Sequence, residues 1–360
     1  MSMNHRAQPP LPASDLFEIS ERLLAVADDL RGASILVTGG TGFVGTWLVE
    51  SFLHLDRAAD LGARMIVLTR DADAYAARAP HLVTDPRLSV HVGILGVAGA
   101  FDGLDGITHI IHAGSDVNRR MNPREALEAL RTLDQGTEDL LQAGQAWPIR
   151  RLLYVSSAAV YGRSHENPTM NEDCSNCPSV LGPESAYGTG KRIAELRTCL
   201  HASSAGYTAV VARLGAFIGP LLPLDGGFAA GNFIADALAG RRIRIQGDGT
   251  AMRCYQYAAD LAVWLWMLLL RGDPGEAYNV GGEAAVSMRE LAEWVARASG
   301  AQGVEVLGRP TSGLPPDRYC PSVEKAIRGL GLENRTGLEE AIRRTFYWHS
   351  ARTDFQTEQS

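Results

Sequence analysis

Residues 35–45, ILVTGGTGFVG, contain the pattern on which the interpretation of the fold depends. The first four residues are apolar or β-branched and predict a buried strand. Gly39, Gly42 and Gly45 follow at three-residue spacing, directly before a helical pattern. Glycine permits a tight turn and close approach of the backbone to a phosphate, and a helix N-terminus presents free N–H groups to that anion. The stretch therefore predicts a pyrophosphate-binding turn between a strand and a helix.

A glycine turn with a purely structural role would look similar, so the neighbouring elements must decide. Apolar runs without polar alternation predict strands at 34–38, 64–69, 88–92, 108–113, 151–156 and 208–213, with helices at 43–55, 123–143 and 187–203. This order is typical of a parallel sheet that helices cover on both faces. The expected fold class is α/β, with a doubly wound Rossmann-type parallel sheet and a smaller C-terminal substrate-binding lobe.

Composition and pattern divide the chain into four expected parts. Residues 1–32 form a tail and a helix, the helix over 15–31, and residues 33–215 form the dinucleotide-binding domain. Residues 216–350, which are richer in glycine and proline, mainly form the C-terminal lobe, although some of its elements can return to the sheet. The last part, residues 351–360, is a tail.

Charge and cysteine content exclude several classes of protein. The net charge is −7 over 360 residues, which argues against a nucleic-acid partner. The apolar run 261–270 is about half as long as a bilayer requires, so it predicts a buried helix and no membrane partner. Five cysteines and the absence of an apolar signal region favour a cytoplasmic location. Cys174 and Cys177 lie near His165, but no second ligand pair follows, so no metal is expected.

A second motif, Y-x-x-x-K, is formed by Tyr187 and Lys191, one helical turn apart on one face. A cation beside a phenol favours the phenolate, which can exchange a proton with a hydroxyl group near neutral pH. A surface helix could show the same spacing by chance. The preceding segment 154–162, YVSSAAVYG, ends a predicted strand with serines and favours a catalytic interpretation.

Together these motifs resemble the extended short-chain dehydrogenase/reductase family, of the NAD-dependent epimerase/dehydratase type that modifies nucleotide sugars. The resemblance covers about residues 33–347. It implies that Tyr187 exchanges the proton, that Ser157 hydrogen-bonds the reacting oxygen, and that Lys191 supports the phenolate and holds the nicotinamide ribose. The cofactor-binding residues that it implies are Gly39, Thr41, Gly42, Phe43, Val44, Gly45, Thr69, Arg70, Ile94, His112, Ala113, Gly114, Tyr187 and Lys191.

Later segments resemble the substrate-binding motifs of the same family. Arg213 opens RLGAFIGP, and the segment 246–260 resembles a motif whose arginine, here Arg253, binds the substrate diphosphate. The resemblance implies a nucleoside-diphosphate sugar as substrate and a homodimer formed through helices at 123–145 and 187–203. The substrate-binding residues that it implies are Ser115, Asn118, Ser157, Asn232, Arg253 and Arg318. For residues 118–120, a solvated loop is an equally good interpretation.

The chain departs from the family pattern where the cofactor's adenosine is expected. Thr69 and Arg70 stand in place of the usual aspartate, which removes a partner of the ribose 2′-hydroxyl, and an arginine can accommodate a 2′-phosphate. Asp71 can still serve NAD, so the predicted cofactor is NAD or NADP. Ile94 and Leu133 stand where Asp and Asn are common, so contacts to the adenine are expected to differ.

A further departure concerns the reaction. Ala158 and Ala159 stand at the two positions where the sugar 4,6-dehydratases of this family have Asp and Glu. Decarboxylases of the family usually keep the Glu. Alanine cannot transfer protons, so dehydration lacks its usual acid and base unless Glu172 or Asp173 replaces them. The sequence therefore predicts a nucleotide-sugar epimerase, with 4-epimerase as the first expectation. The alternatives are a dehydratase or decarboxylase, an NADPH-dependent ketoreductase of a keto sugar, and a non-enzymatic dinucleotide-binding protein.

Overall fold

The computed structural model describes residues 7–115, 122–162, 170–174, 182–225, 227–310 and 315–357. The chain forms two compact units. Unit 1 comprises Met1–Val160, Ser179–Arg213 and Ala262–Tyr278, and unit 2 comprises Tyr161–Pro178, Leu214–Leu261 and Asn279–Ser360. The strands are β1 (Ser34–Thr38), β2 (Arg64–Thr69), β3 (Leu88–Val92), β4 (His109–His112), β5 (Arg151–Ser157), β6 (Thr208–Leu214), β7 (Ala216–Ile218), β8 (Ile243–Ile245), β9 (Met252–Tyr257), β10 (Ala277–Val280), β11 (Ala285–Ser287), β12 (Val304–Val306) and β13 (Arg318–Tyr319).

Helices connect most of these strands. The α-helices are α1 (Ala13–Leu23), α2 (Phe43–Ala59), α3 (Ala72–Arg78), α4 (Pro80–Val83), α5 (Pro123–Gly144), α6 (Pro183–Ala205), α7 (Ala229–Leu238), α8 (Ala258–Arg271), α9 (Met288–Ser299), α10 (Glu324–Leu330) and α11 (Leu338–Thr357). Two 3-10 helices cover Leu24–Leu30 and Ala158–Tyr161.

A seven-stranded sheet forms the centre of unit 1, in the order β10-β6-β5-β4-β1-β2-β3. Strand β1 pairs in parallel with both β2 and β4, and Val37 lies opposite Val67 and Ile111. The chain runs outward from β1 through β2 and β3, and then crosses back to β4 and β5. The carboxyl ends of β1 and β4 therefore form the switch point at which doubly wound folds bind ligands. This confirms the predicted fold class.

Buried apolar residues on the strands pack against helices on the sheet. Burial of all five residues of β1 explains why its sequence shows no polar alternation. One cluster of buried residues comprises Leu36, Ile66, Leu68, Ala100, Phe101, Ile107, Ile110, Leu140, Leu141, Trp147, Leu152, Tyr154, Ala194, Ala202, Ala209 and Val211. The cluster draws on strands and on helices α5 and α6, so it fixes those helices against the sheet.

Helix α8 belongs largely to unit 1, although a boundary at residue 215 would assign it to the lobe. Its residues 261–270 are buried except for the partly exposed Met267, so it requires an apolar surface on all sides. Trp266 Nε1 donates a hydrogen bond to Ser51 Oγ of α2 at 2.9 Å, and its ring stacks on Phe52. The expected buried helix is confirmed, and burial on α2 is the reason for its return to unit 1.

The N-terminal helix differs from the prediction, which placed one helix over 15–31. An α-helix ends at Leu23, and a 3-10 helix follows over Leu24–Leu30. Ala27 and Leu30 are buried there at three-residue spacing, which matches the three residues per turn of a 3-10 helix. No helix within the described residues is long and apolar enough to cross a bilayer.

The described part of unit 2 contains two small sheets. In one, β9 pairs antiparallel with β11 and parallel with β13 and β7. In the other, β8 pairs in parallel with β12. The register of β9 and β13 places Met252 opposite Arg318 and Arg253 opposite Tyr319. This register brings the two arginines expected to bind substrate onto neighbouring strands.

Candidate active site

The glycine turn after β1 is shaped by contacts of its own backbone. A Cβ atom at Gly39 would lie 2.6 Å from the carbonyl oxygen of Ala113, and Gly39 has φ +71°. A Cβ at Gly45 would lie 2.1 Å from the carbonyl oxygen of Gly39. At Gly42, by contrast, the nearest described atom is 3.4 Å away. The chain's packing therefore requires glycine at positions 39 and 45, whereas at position 42 the missing side chain leaves open space at the N-cap of α2.

The remaining residues of the predicted pyrophosphate turn lie around that N-cap. Phe43 and Val44 form the first two positions of α2, and Gly42 precedes them with extended backbone. The carbonyl oxygen of Thr41 accepts a hydrogen bond from the Arg78 guanidinium. The N–H groups of the first turn of α2 therefore lie next to the glycine turn, where they can stabilise an anion.

His112 organises the end of β4 through a chain of hydrogen bonds. The Gly114 N–H donates to Thr38 Oγ1 at 3.0 Å, and Thr137 Oγ1 donates to the Leu133 carbonyl at 2.6 Å. The imidazole lies between them, with Nδ1 2.7 Å from Thr38 Oγ1 and Nε2 3.0 Å from Thr137 Oγ1. Burial lowers the pKa of His112 to about 3, so the ring is neutral. Because Thr137 already donates to Leu133, Nε2 carries the proton and Nδ1 accepts from Thr38.

This network changes the interpretation of His112, which the resemblance assigned to cofactor binding. Its side chain is 3% exposed and both ring nitrogens have protein partners. Only the main chain of this strand end can therefore face a ligand, together with Ala113 and Gly114. The imidazole fixes Gly114 against the turn at Gly39, as shown by the 2.7 Å between a Gly39 Cβ and the Gly114 nitrogen.

The carboxylate that follows the end of β2 is that of Asp71, and it also caps a helix. Thr69 is buried, and its Oγ1 donates to the carbonyl oxygen of Asp71 at 3.2 Å. Asp71 Oδ1 accepts the N–H of Ala74 at 2.8 Å as the N-cap of α3. Arg70 is exposed, and so is Ile94, beyond the end of the neighbouring β3. The Asp71 carboxylate therefore caps a helix, and the charge next to Thr69 is the positive charge of Arg70.

Tyr187, Lys191 and the end of β5 are brought together in unit 1. Lys191 Nζ donates to the Val155 carbonyl oxygen at 2.7 Å and lies 5.9 Å from the centre of the Tyr187 ring. Ser157 stands two residues after Val155, at the carboxyl end of the same strand. Lys191 is fully buried, and burial lowers its pKa to about 7, opposed by the negative charge of Glu195. The amine can thus gain or lose its proton near neutral pH.

Glu195 and Ser156, which the sequence analysis did not name, connect the candidate site residues to neighbouring elements. Ser156 Oγ donates to Glu195 Oε1 at 2.5 Å, and Arg213 forms an ion pair with Glu195 Oε2 at 2.8 Å. Glu195 lies four residues after Lys191, so it occupies the same helix face one turn further on. That spacing was the available signal. The buried carboxylate connects the ends of β5 and β6 to the helix that carries Tyr187.

The segment between Ser157 and Tyr161 has no proton-transferring side chain at two positions. Ala158 is fully buried and Ala159 is partly exposed. Glu172, considered as a replacement acid, accepts the main-chain N–H of Asn279 at 2.7 Å within unit 2. Asp173 is exposed. The structure therefore gives Glu172 a role in holding the backbone of unit 2.

Arg253 is held in place within unit 2 by groups of its own strand β9 and of the segment that leads into β13. Its guanidinium donates to the Asp317 carboxylate at 2.9 Å and to the carbonyl oxygens of Met252 at 2.7 Å and Asp317 at 3.2 Å. It also lies 5.6 Å from the centre of the Tyr319 ring. Arg318 is exposed on the neighbouring strand. Asp317, which the sequence analysis did not single out, orients the arginine.

The other predicted positions are placed as follows. Asn232 is exposed on α7, and Ser115 is partly exposed beyond the end of β4. Asn118, His165 and Cys177 lie outside the described residues. Within the described part of the chain, no group of three or more His, Cys, Asp or Glu residues could hold a metal ion.

Comparison with known proteins agrees with this arrangement. The sequence model described as the NAD dependent epimerase/dehydratase family matches residues 35–281, more than half of the chain. The chain belongs to this family. The match begins in β1 and ends just beyond β10, so it includes the glycine turn, Ser157, Tyr187, Lys191 and Arg253.

Individual members of the family give the range of reactions. UDP-glucuronic acid decarboxylase 1 of Arabidopsis thaliana is 29% identical over 310 residues, which are 86% of this chain and 68% of the relative. A dTDP-glucose 4,6-dehydratase from Streptomyces venezuelae, solved with NAD bound, has a TM-score of 0.75 and 25% identity, covering 89% of this chain and 98% of its own. UDP-glucose 4-epimerase from Thermotoga maritima has a TM-score of 0.74 at 21% identity, covering 89% of this chain and 99% of its own, and shares the fold. These relatives are enzymes with nucleotide-sugar substrates, and the cofactor of the family is a nicotinamide dinucleotide.

Proposed function

We propose that this chain is a nucleotide-sugar epimerase, with inversion at C4 as the first expectation. The observation that carries the proposal is the pair Ala158 and Ala159, which follows Ser157 directly. The groups needed to oxidise a hydroxyl group are present, whereas the acid and base that expel water in a dehydratase are replaced by alanines. Oxidation without elimination leaves a keto sugar that can be reduced again on its other face.

The described residues fit a nicotinamide dinucleotide. The open position at Gly42 and the N-terminus of α2 match a pyrophosphate, and Ala113 and Gly114 lie against the same turn. When bound, the cofactor supplies the hydride acceptor and donor. Thr69, Arg70 and Ile94 stand at the adenosine end of this proposal. Since Asp71 caps α3, we infer that the chain accepts NADP as well as NAD, and that Arg70 favours NADP.

Each catalytic side chain then has a specific task. Tyr187 as phenolate accepts the proton of the sugar hydroxyl and later returns it. Burial lowers the pKa of Lys191 to about 7. When the Lys191 amine is protonated, its positive charge stabilises the phenolate. Ser157 donates a hydrogen bond to the oxygen that becomes a carbonyl. Arg253 and Arg318 bind the diphosphate, so that the sugar can turn while the nucleotide stays in place.

A decarboxylase is the second candidate, because the Arabidopsis thaliana relative is a UDP-glucuronic acid decarboxylase. Oxidation of C4 in a uronic acid gives a β-keto acid, and its new carbonyl accepts the electrons of the breaking C–C bond. Loss of carbon dioxide therefore does not require the acid and base that are absent at Ala158 and Ala159. Product analysis decides between the two candidates.

The test uses the purified protein with NAD, NADP or NADPH and four substrates: UDP-glucose, UDP-galactose, UDP-glucuronic acid and dTDP-glucose. An epimerase gives a product of unchanged mass whose NMR spectrum shows an inverted sugar carbon. A product lighter by carbon dioxide establishes the second candidate instead. A product lighter by water, or consumption of NADPH in proportion to product, contradicts the proposal. Tyr187→Phe is the control, since it removes the proton acceptor and should abolish turnover while bound cofactor is retained.

We also propose a homodimer in the cytoplasm, formed through α5 and α6. These helices pack on each other, as shown by the ion pair between Arg197 and Asp134 at 2.7 Å. On their outer surface, Leu127, Leu196 and Leu200 are between 61% and 63% exposed. Exposed leucines in a row are typical of a surface that another subunit covers.

A further inference from the structure

Two cysteines lie side by side in the small sheet of unit 2. Cys254 is the third residue of β9, and Cys320 follows β13 directly. The parallel register places Arg253 opposite Tyr319, so the next residues along, Cys254 and Cys320, face each other. Their side chains are 2% and 6% exposed. Both are free thiols in this structure.

The two thiols form an asymmetric pair. Cys254 Sγ donates to the carbonyl oxygen of Glu283 at 4.0 Å. The neighbouring Cys254 thiol lowers the pKa of Cys320 against the effect of burial, and the charges of Arg318 and Arg253 lower it further. The neighbouring Cys320, together with burial, raises the pKa of Cys254. Cys320 is therefore the thiol that reacts first, and Cys254, its neighbour in the strand register, is the resolving thiol.

We propose that Cys254 and Cys320 form a redox-modification site, at which a small hydroperoxide converts the two thiols into a disulfide between β9 and the segment after β13. Neighbouring strands are about 4.8 Å apart, which lies within the range of Cα separations that disulfides bridge. A hydroperoxide suits the site because both thiols are buried, and a larger disulfide reagent would need more room. The site is separate from the residues that transfer hydride or protons in the proposed reaction.

The reaction balances without another protein thiol. The Cys320 thiolate attacks the peroxide, an S–O bond forms, and the O–O bond breaks to release hydroxide, which takes up a proton as water. The Cys254 sulfur then attacks the Cys320 sulfenic acid, an S–S bond forms, and the S–O bond breaks to release a second water. Two thiols are oxidised and one hydrogen peroxide is reduced to two waters.

The disulfide would act on the residues next to it. A disulfide fixes its two Cβ atoms about 3.8 Å apart, so its formation restricts how β13 and β9 can move against each other. Arg253 is held by Asp317 and Tyr319 across these same strands. Oxidation should therefore disturb Arg253 and weaken nucleotide binding. This consequence rests on the proposed function, whereas the chemistry of the thiols does not.

The first experiment tests the chemistry alone. The whole protein is treated with hydrogen peroxide, quenched, denatured, alkylated and digested, and its peptides are identified by mass spectrometry. We expect a Cys254–Cys320 linkage in the wild type and in Cys199→Ser, whose missing thiol lies outside the pair, and no such linkage in Cys320→Ser. Alkylation of both residues after peroxide treatment, over-oxidation of Cys320, or linkage to another cysteine would overturn the proposal. Circular dichroism establishes that each variant is folded.

The second experiment tests the consequence by calorimetric titration with UDP and dTDP before oxidation, after oxidation and after reduction with dithiothreitol. We expect about a tenfold or larger loss of nucleotide affinity on oxidation, restored by reduction, with NAD affinity unchanged. A linkage that forms without any change in affinity overturns the coupling to substrate binding. If neither the reduced nor the oxidised protein binds a nucleotide, the proposed function fails while the modification site stands.

Discussion

The Lys191 amine is fully buried, and its burial lowers the free energy of unfolding when the amine is protonated in the unfolded chain. Its pKa is about 7 in the folded chain and about 10.4 when exposed. Between these values the unfolded chain binds a proton that the folded chain does not, so stability rises with pH through this window. The destabilisation is largest below pH 7, on the order of a few kcal/mol.

Lys191→Met should therefore stabilise the cofactor-free protein at pH 7.5, by about 1–3 kcal/mol after allowance for the lost hydrogen bond to Val155. The difference in stability between the variant and the wild type should shrink towards pH 10, because the Lys191 amine then approaches the same uncharged form in the folded and the unfolded chain. Thermal unfolding at both pH values measures this. If Lys191→Met melts at a lower temperature than the wild type at pH 7.5, burial of the Lys191 amine does not destabilise the folded chain as inferred. Activity should be lost in the same variant.

Glu195 is the residue that limits how far the pKa of Lys191 falls. Its negative charge raises the pKa of Lys191 against the effect of burial. Glu195→Gln removes that charge and takes away a carboxylate partner of Arg213, and both changes disfavour a charged lysine. We expect the high-pH limb of the kcat profile to move to lower pH by about one unit.

The pH profile separates this effect from a general structural defect. Glu195→Asp keeps the charge and should return the limb towards its wild-type position, even if the shorter side chain lowers stability. A profile that keeps its shape while kcat falls uniformly would mean that Glu195 only supports the fold. Among the described residues, neutral His112 and the rings of Tyr154 and Tyr187 also lie near the amine, and both variants leave them unchanged.

At the scale of elements, the glycine turn separates a structural requirement from a ligand requirement. Gly45→Ala should destabilise the protein by about 3 kcal/mol or more, since its Cβ would overlap the Gly39 carbonyl at 2.1 Å. Gly42→Ala should cost no more than about 1 kcal/mol of stability but lower NAD affinity at least tenfold, because its methyl group occupies the space proposed for the pyrophosphate. Thermal unfolding and calorimetric titration with NAD measure the two effects. Unchanged NAD affinity in Gly42→Ala would remove Gly42 from the proposed site.

The elements that the sequence predicted well are those with one dominant physical cause. β1, β2 and β3 have the predicted bounds, because strands of a parallel sheet are recognisable as short apolar runs. α8 was recognised as buried, but its return to unit 1 depends on a complementary surface at Ser51 and Phe52, which no local pattern indicates. The 3-10 turn after Leu23 was missed because its apolar spacing also fits an α-helix.

The candidate site shows the same division between local and long-range causes. Tyr187 and Lys191 are connected by helix spacing and could be predicted together. The partner of Arg253 could not, because Asp317 lies 64 residues further along and meets it only through the pairing of β9 and β13. The buried state of His112 likewise depends on Thr38 and Thr137, which belong to different elements.

At the scale of the whole molecule, the outer surface of α6 exposes a row of apolar side chains. Ile193, Leu196 and Leu200 follow helical spacing on one face and are 39%, 61% and 63% exposed. An adjacent side of the helix packs on α5, where a Cβ at Gly190 would lie 2.8 Å from Leu133. Water contact with such a row is unfavourable, at roughly 25 cal/mol per Å² of apolar surface. A second copy of the chain would cover it.

The double variant Leu196→Asp and Leu200→Asp should therefore convert a dimer into a monomer, because two carboxylates would be buried without partners at the interface. Size-exclusion chromatography with light scattering at micromolar concentration measures the mass. Leu307→Asp, which changes another exposed leucine of 49% exposure in unit 2, is the matched control and should remain dimeric. A wild-type protein that is monomeric under these conditions would contradict the proposed interface. Since α6 also carries Tyr187 and Lys191, the monomer should lose part of its activity while it keeps its fold, which circular dichroism can establish.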